Sequence, residues 1–230
     1  ARFYVIDLGG GQLASLERLP HVAGVAGREE GEKVRRIVDE VAGFIRRPER
    51  CATFLVIDGW HHIGTSNAEF EDIAEKVTEI VADGASAHVH VVIATSRWTT
   101  MRPAIRDLIA NRLELRLGEA LDSLIDRKLQ QKLPSALGRG LTLAGENMLL
   151  ARTSHQDIAH ICRVHAAADP VPQLKMLPAV LTPAALAAQG DVPAGEIAWG
   201  IGGRDLDTLT WNPSREPHLV AIGAQGCGKS

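Results

Sequence analysis

Thr53-Phe54-Leu55-Val56-Ile57-Asp58-Gly59-Trp60 constrains the fold of this chain more than any other stretch. An unbroken apolar run closed by one carboxylate is the pattern of a strand buried on both faces, which delivers an acid to the carboxyl edge of a sheet. Such a strand needs layers above and below it, so the remaining chain is read as helices and strands packed around it. Arg2 to Leu8 (RFYVIDL) repeats the pattern, ending in Asp7 and running into Gly9-Gly10-Gly11, where the backbone can turn sharply and approach a neighbour closely.

A second motif closes the sequence. Gly223-Ala224-Gln225-Gly226-Cys227-Gly228-Lys229-Ser230 fits G-x-x-x-x-G-K-[ST] at every fixed position and follows Pro217 to Ile222, an expected strand. In that loop the backbone N–H groups converge on phosphate oxygens, the lysine offers a point charge and the serine hydroxyl ligates Mg²⁺. The expected cofactors are therefore ATP and Mg²⁺, with Asp58 as the Walker B metal ligand. The plainer alternative for Asp58 is a core strand that happens to end in an acid. Asp7 either lies near the phosphates or caps its own turn. The two motifs stand in reverse of their order in one P-loop domain. That order implies two tandem domains, the first lacking its own P-loop and the second stopping just after its P-loop, or else a circular permutant.

Between the motifs the pattern alternates strands and helices. Glu30 to Arg47 places Val34, Ile37, Val38, Val41, Phe44 and Ile45 on one helical face. Ser66 and Glu69 have capping-box spacing and predict a helix over 67–82. His88 to Thr95 is a third parallel-type strand, whose end carries Ser96-Arg97-Trp98 to the edge where open α/β sheets bind ligands. Arg97 there either senses a γ phosphate or pairs with a neighbouring carboxylate. Val22 to Val25 read as leading into a turn. Met101 to Ala110 and Ala120 to Leu133 read as helices, Asn111 to Leu117 as a half-exposed strand, and 141–150 as a hairpin. The neighbouring His61 and His62 read as loop residues, since adjacent side chains do not face one metal site on a helix.

The fold class expected is α/β, a RecA-like P-loop NTPase with a largely parallel sheet, followed by the opening strands of a second such domain. Residues 1–168 form an ATPase domain lacking its own Walker A, the proline-rich 169–196 a linker, and 197–230 the start of the next domain. A formal net charge of −3 over 230 residues offers no basic field for nucleic acid, and three scattered cysteines suit neither a disulfide framework nor a zinc site.

FYVIDLGGG, LPHVAGVAGR, FLVIDGW, HVVIATSRW, IDRKLQQKLPSALGRGLTL and PHLVAIGAQGCGKS, in this order, resemble the EccC ATPases of type VII (ESX) secretion, FtsK/SpoIIIE-type proteins with tandem ATPase domains. The likeness covers nearly the whole chain, as the end of one domain, the second, joined to the start of the next. It implies a homo-hexamer, other ESX membrane-complex subunits as partners, helical-hairpin substrates, and anchoring at the cytoplasmic face of the inner membrane by helices outside these residues. Members carry more residues between the long helix and Walker B than lie between Arg50 and Thr53. An active FtsK-like domain also has a glutamate directly after the Walker B aspartate, where this chain has Gly59, and glycine cannot act as a general base. Position 59 is expected to tolerate a side chain if its φ is negative. Two other functions remain open: a DNA translocase module, and a substrate-docking domain that binds ATP without cleaving it.

Overall fold

Four parallel strands organise the first of two units in the computed structural model, which describes residues 1–66 and 68–227 and divides into Ala1–Leu174 and Lys175–Ser230. Strands β1 (Arg2–Asp7), β2 (Val22–Gly27), β3 (Thr53–Asp58) and β4 (Val89–Ala94) lie in the order β2-β1-β3-β4. Val22 to Gly27, expected to lead into a turn, is a strand, paired in parallel with β1 from Phe3↔Val22 to Asp7↔Gly27. Its alternation of valine with Ala23, Gly24 and Ala26 leaves it thin enough to be closely covered. Leu174 packs on Gly24, and residues 171–174 run along the strand. The Val171 amide donates to the Pro20 carbonyl (2.9 Å) and the Leu174 amide to Ala23 (2.8 Å), which shields the free edge of β2.

Helix α1 (Gly31–Arg46) buries Val34, Ile37, Val38, Val41 and Phe44, as its spacing requires. It packs with α3 (Ala74–Asp83) on one face of the sheet, against Tyr4, Ile6, Leu55 and Ile57. On the other face Val5 is covered by Leu13, Leu16 and Leu19, which flank or lie in the 3₁₀ turn Ala14–Arg18, and by Ile158 and Ile161. That second cover sits over β1 and β2. Strand β3 is therefore not buried on both faces as its apolar run predicts: Leu55 and Ile57 are buried while Phe54 and Val56 are half-buried.

Between β3 and α3 the chain forms one short turn of helix, α2 (His61–Gly64), rather than a loop. The helix expected from a Ser66–Glu69 capping box begins later. Phe70 is buried and its amide donates to the His62 carbonyl (2.9 Å), which holds the chain in turns until the 3₁₀ segment Glu71–Ile73 leads into α3. Glu69 instead pairs with Arg28 (2.8 Å). Asn67, where that helix was to start, lies outside the described residues.

Beyond β4 the chain builds a small lobe from α4 (Pro103–Arg106), α5 (Arg127–Lys132) and an antiparallel sheet β5 (Leu113–Leu115), β6 (Arg139–Thr142), β7 (Asn147–Leu149), the last two forming the expected hairpin. Its centre is Glu114. Expected to be half-exposed, it is 2% exposed. Its carboxylate accepts from Trp98 Nε1 (2.7 Å), Ser123 Oγ (2.7 Å), the Leu124 amide (2.8 Å) and Gln130 Nε2 (3.1 Å). Turning the Leu124 amide onto an acid takes that segment out of helical geometry, so the helix expected over 120–133 survives only as a 3₁₀ turn and α5. The helix expected over 101–110 also stops early, because Arg112 occupies the carbonyls of Arg106 (2.7 Å) and Ile109 (2.9 Å).

Helix α6 (His155–Val164) starts at a capping box, with Ser154 Oγ accepting from the Asp157 amide (3.2 Å) and Asp157 accepting from the Ser154 amide (2.7 Å). In the second unit, α7 (Pro183–Ala187) is capped by Thr182, and β8 (Ile197–Gly202) pairs antiparallel with β9 (Asp207–Trp211). Residues 217–222, expected to form a strand, have no ladder partner among the described residues, and Val220 and Ile222 are 78% and 91% exposed. No helix among the described residues is long and apolar enough to cross a membrane.

The Glu114 node makes a test of the lobe. Glu114→Gln replaces an acceptor of four hydrogen bonds with a group that brings its own N–H donors, and should lower stability by about 1–3 kcal/mol in denaturant unfolding. Unchanged stability would mean that the buried carboxylate is incidental to the lobe.

Candidate functional site

Strands β1 and β3 are neighbours in register, with Asp7 opposite Asp58. Their chains leave the sheet's carboxyl edge in different directions. After β1 the chain turns to Leu13 and Leu16 on one face, whereas after β3 it turns to Ile63, Phe70 and α3 on the other. In an open α/β sheet that divergence opens a crevice, the topological switch point at which ligands bind. Here the crevice is a cavity of about 370 Å³ walled by the glycine turn 9–11, Asp7, Gly27, Arg28 and the His61–His62 pair.

The two acids at this edge differ in what they touch. Asp7 is 2% exposed, and its carboxylate accepts from the amides of Gly11 (3.1 Å) and Leu13 (2.6 Å). It caps the triple-glycine turn, the second of the two roles open to it from sequence. Asp58 is half-buried and its carboxylate has no hydrogen-bond partner among the described residues. It lies against the Cα of Gly9, in space that any side chain there would fill. A carboxylate free of protein partners at the end of a central strand, backed by glycine, is available to ligate a metal.

Gly59 has φ +78°, and a Cβ on it would stand 2.8 Å from the Gly9 nitrogen and from the Leu8 carbonyl carbon. The condition for placing a side chain at 59 therefore fails: the position is left-handed and walled by backbone. Gly59→Glu would strain this crossing and is not a clean restoration of a general base.

Arg97 is exposed, and its guanidinium forms no ion pair with a described residue. Of its two expected roles, pairing with a neighbouring carboxylate is not realised. Its carbonyl accepts from Thr100 Oγ1 (2.7 Å) and starts the turn that carries Trp98 to Glu114. In the Walker A sequence, Gly223, Ala224, Gln225, Gly226 and Cys227 are exposed, with Gly226 at φ +78° and the Cys227 amide donating to Ala224 (3.4 Å). Gly228, Lys229 and Ser230 lie outside the described residues. Sequence reasoning missed Arg28, His61 and His62 as cavity residues. Burial, the charge of His61 and the nearby Arg28 hold His62 below the usual imidazole range, with Glu69 acting in the opposite direction.

An open parallel sheet flanked by helices, with an unpartnered aspartate at the switch point, is a frame that P-loop ATPase domains share with other open α/β folds. Residues 1–160 match the FtsK/SpoIIIE family, and the chain belongs to it. It is 33% identical to the ESX-4 secretion system protein EccC4 of Mycobacterium tuberculosis, over all of this chain and 20% of that protein. Identity to the ESX secretion system protein EccC of Thermomonospora curvata is 32%, over all of this chain and 20% of that one. The chain thus spans about a fifth of the length of these two curated relatives. Among solved structures, the cytoplasmic domain of the T. curvata type VII secretion ATPase EccC superposes with a TM-score of 0.77 at 30% identity, covering 93% of this chain and 29% of that one. T. curvata EccC (ATPases 2 and 3) in complex with a signal sequence peptide gives 0.75 at 30% identity, covering 93% and 45%.

Gly59 provides a stability test of the crossing. Gly59→Ala should cost about 1–3 kcal/mol, because it puts a Cβ into a left-handed, backbone-walled position. Gly118→Ala, where a Cβ meets open space, is the control and should change stability little. Equal effects in urea unfolding would mean that the crossing at residue 59 relaxes freely.

Proposed function

We propose that this chain is the ATP-binding part of a type VII (ESX) secretion motor, in which the domain carrying Asp58 binds Mg²⁺-ATP and turns it over slowly. The observation that carries this reading is the unpartnered Asp58 carboxylate at the switch point, in a chain whose relatives are named EccC. When bound, Mg²⁺ would supply charge neutralisation at the nucleotide's phosphates. Asp58 would hold the metal in the first unit, and Ser230 in the next domain. Gly223 to Gly228 and Lys229 would supply that next domain's phosphate loop.

Slow turnover follows from the backbone. The position after the metal ligand carries Gly59 at φ +78°, so no side chain stands there to take a proton from the attacking water. We further propose residues 1–168 as the end of one ATPase domain, 169–196 as the connection and 197–230 as the start of the next. The assembly proposed is a hexamer with other ESX membrane-complex subunits, moving or docking small helical substrates. The signal sequence peptide bound to the T. curvata relative supports recognition of a peptide signal.

The test uses the full-length protein with the Walker A lysines of its other domains mutated, so that one site reports. Asp58→Asn should weaken Mg²⁺-dependent ATP binding at that site by at least about tenfold, the lower end of what disturbing a metal's ligand environment costs. Unmutated, the site should show single-turnover hydrolysis slower by about 10²- to 10⁴-fold than a domain with an acid after Walker B. Fast hydrolysis there, or ATP binding indifferent to Asp58→Asn, would refute the assignment. Tight, steeply salt-dependent binding of duplex DNA would put a DNA translocase in its place, against the chain's net charge of −3.

A further inference from the structure

We infer that the cavity over the switch point is a binding site for a phosphate-type oxyanion, held by Arg28, the amides of Gly9 and Gly10, and the His61–His62 pair. This site is separate from the metal-ligand role of Asp58 and from the Walker A loop, and it uses none of their residues. Three observations carry it.

The first is the wall. The turn 9–11 presents no side chains to a cavity of about 370 Å³, and the amides of Gly9 and Gly10 have no hydrogen-bond partner among the described residues. Successive free amides in a glycine turn form a concavity suited to an anion. The second is the charge. Every ionisable lining side chain other than Asp7 is cationic or can become so. Asp7 is the one acid in the lining, and each of its oxygens is turned to a backbone amide, of Gly11 and of Leu13. The third is Arg28. It spends only its Nε on Glu69 (2.8 Å), in a pair about half exposed on both sides (51% and 45%), while its Nη donors have no partner among the described residues. An ion pair that exposed is weak, so an entering oxyanion can take Arg28 as a two-donor fork.

The groups that set the pH response are Arg28 at the end of β2, His61 and His62 on α2, and Glu69 beyond α2, with Asp7 and Asp58 at the ends of β1 and β3. His62 sits below its usual range through burial first, then the positive fields of His61 and Arg28, offset by Glu69. A bound anion reverses the sign of that field and raises the His62 pKa. Binding must then tighten as pH falls, by at most about tenfold per unit for one linked proton.

The measurement is an NMR titration of the histidine ring protons in this chain, with sulfate as the probe because its charge is constant from pH 8 to pH 5.5. Inorganic phosphate serves as the second probe at pH 7. Saturable shifts of His61 and His62, with a raised His62 pKa and tighter binding at lower pH, are expected. Arg28→Gln should weaken sulfate about tenfold, the loss of one charge-assisted contact. Glu69→Gln, which frees Arg28 and removes a repelling acid, should strengthen it, a result no purely structural role of the pair would give.

Asp58→Asn and omission of Mg²⁺ should leave sulfate binding in place while weakening metal-dependent ATP binding, so the two assignments fail separately. The site is refuted if sulfate moves neither histidine, if Arg28→Gln binds as the parent does, or if binding disappears with Lys229→Ala instead. A preference for acetate over phosphate would also overturn the phosphate assignment.

Discussion

Two neighbouring parallel strands leave the same sheet edge toward opposite faces, and the site exists because of that divergence. The geometry is held by short backbone contacts rather than by large side chains. The Leu8 amide donates to the Asp58 carbonyl (3.0 Å), which extends the β1–β3 pairing one step past the strands. The Asp7 carboxylate then turns the chain through Gly9 to Gly11 by gathering the amides of Gly11 and Leu13. A Cβ on Gly59 would meet the backbone of Leu8 and Gly9 at 2.8 Å, and one on Gly9 would displace the Asp58 carboxylate. Two acids that look alike in sequence thus divide their work, one fixing the turn and the other left free beside it.

Buried acids recur as organisers in the lobe beyond β4. Glu114 has no cation among its partners and draws in an indole, a hydroxyl, a backbone amide and a side-chain amide from three places in the chain. A buried carboxylate is costly unless fully satisfied, so this lobe folds around meeting that demand. Trp98 ties the lobe to the end of β4, and so to the edge where Arg97 stands. The lobe is coupled to the sheet by this hydrogen bond of 2.7 Å and by Met101 and Ile105, which are buried in the core against the sheet.

Periodic apolar faces were legible in the sequence, and features set by contacts distant along the chain were not. The stripe Val34, Ile37, Val38, Val41, Phe44 identified α1 to within a residue at each end, since its pattern depends only on local spacing. Strand β2 escaped because its small residues carry little β signal. They make sense only once Leu174, far along the chain, is seen packed on Gly24. The helix predicted over 67–82 was a local capping signal overridden by burial of Phe70, and that predicted over 120–133 was broken by a carboxylate nine residues before Ser123. At the site, Asp58 was legible as the end of an apolar run. Arg28 and the two histidines were not, because membership of a cavity depends on which loops the sheet order brings together.

At Gly59 the backbone conformation, and not only the residue's identity, keeps a side chain from following Asp58. A glutamate after the Walker B aspartate requires a residue there with negative φ and room for Cβ. In this chain the carbonyl carbon of Leu8 and the nitrogen of Gly9 occupy that room, at 2.8 Å. Both belong to the β1 turn, which is itself pinned by Asp7. Recovering an acid at 59 therefore means moving the glycine turn, and with it the amides that line the neighbouring cavity. The absence of a side chain after Asp58 and the presence of the cavity are two consequences of one backbone arrangement.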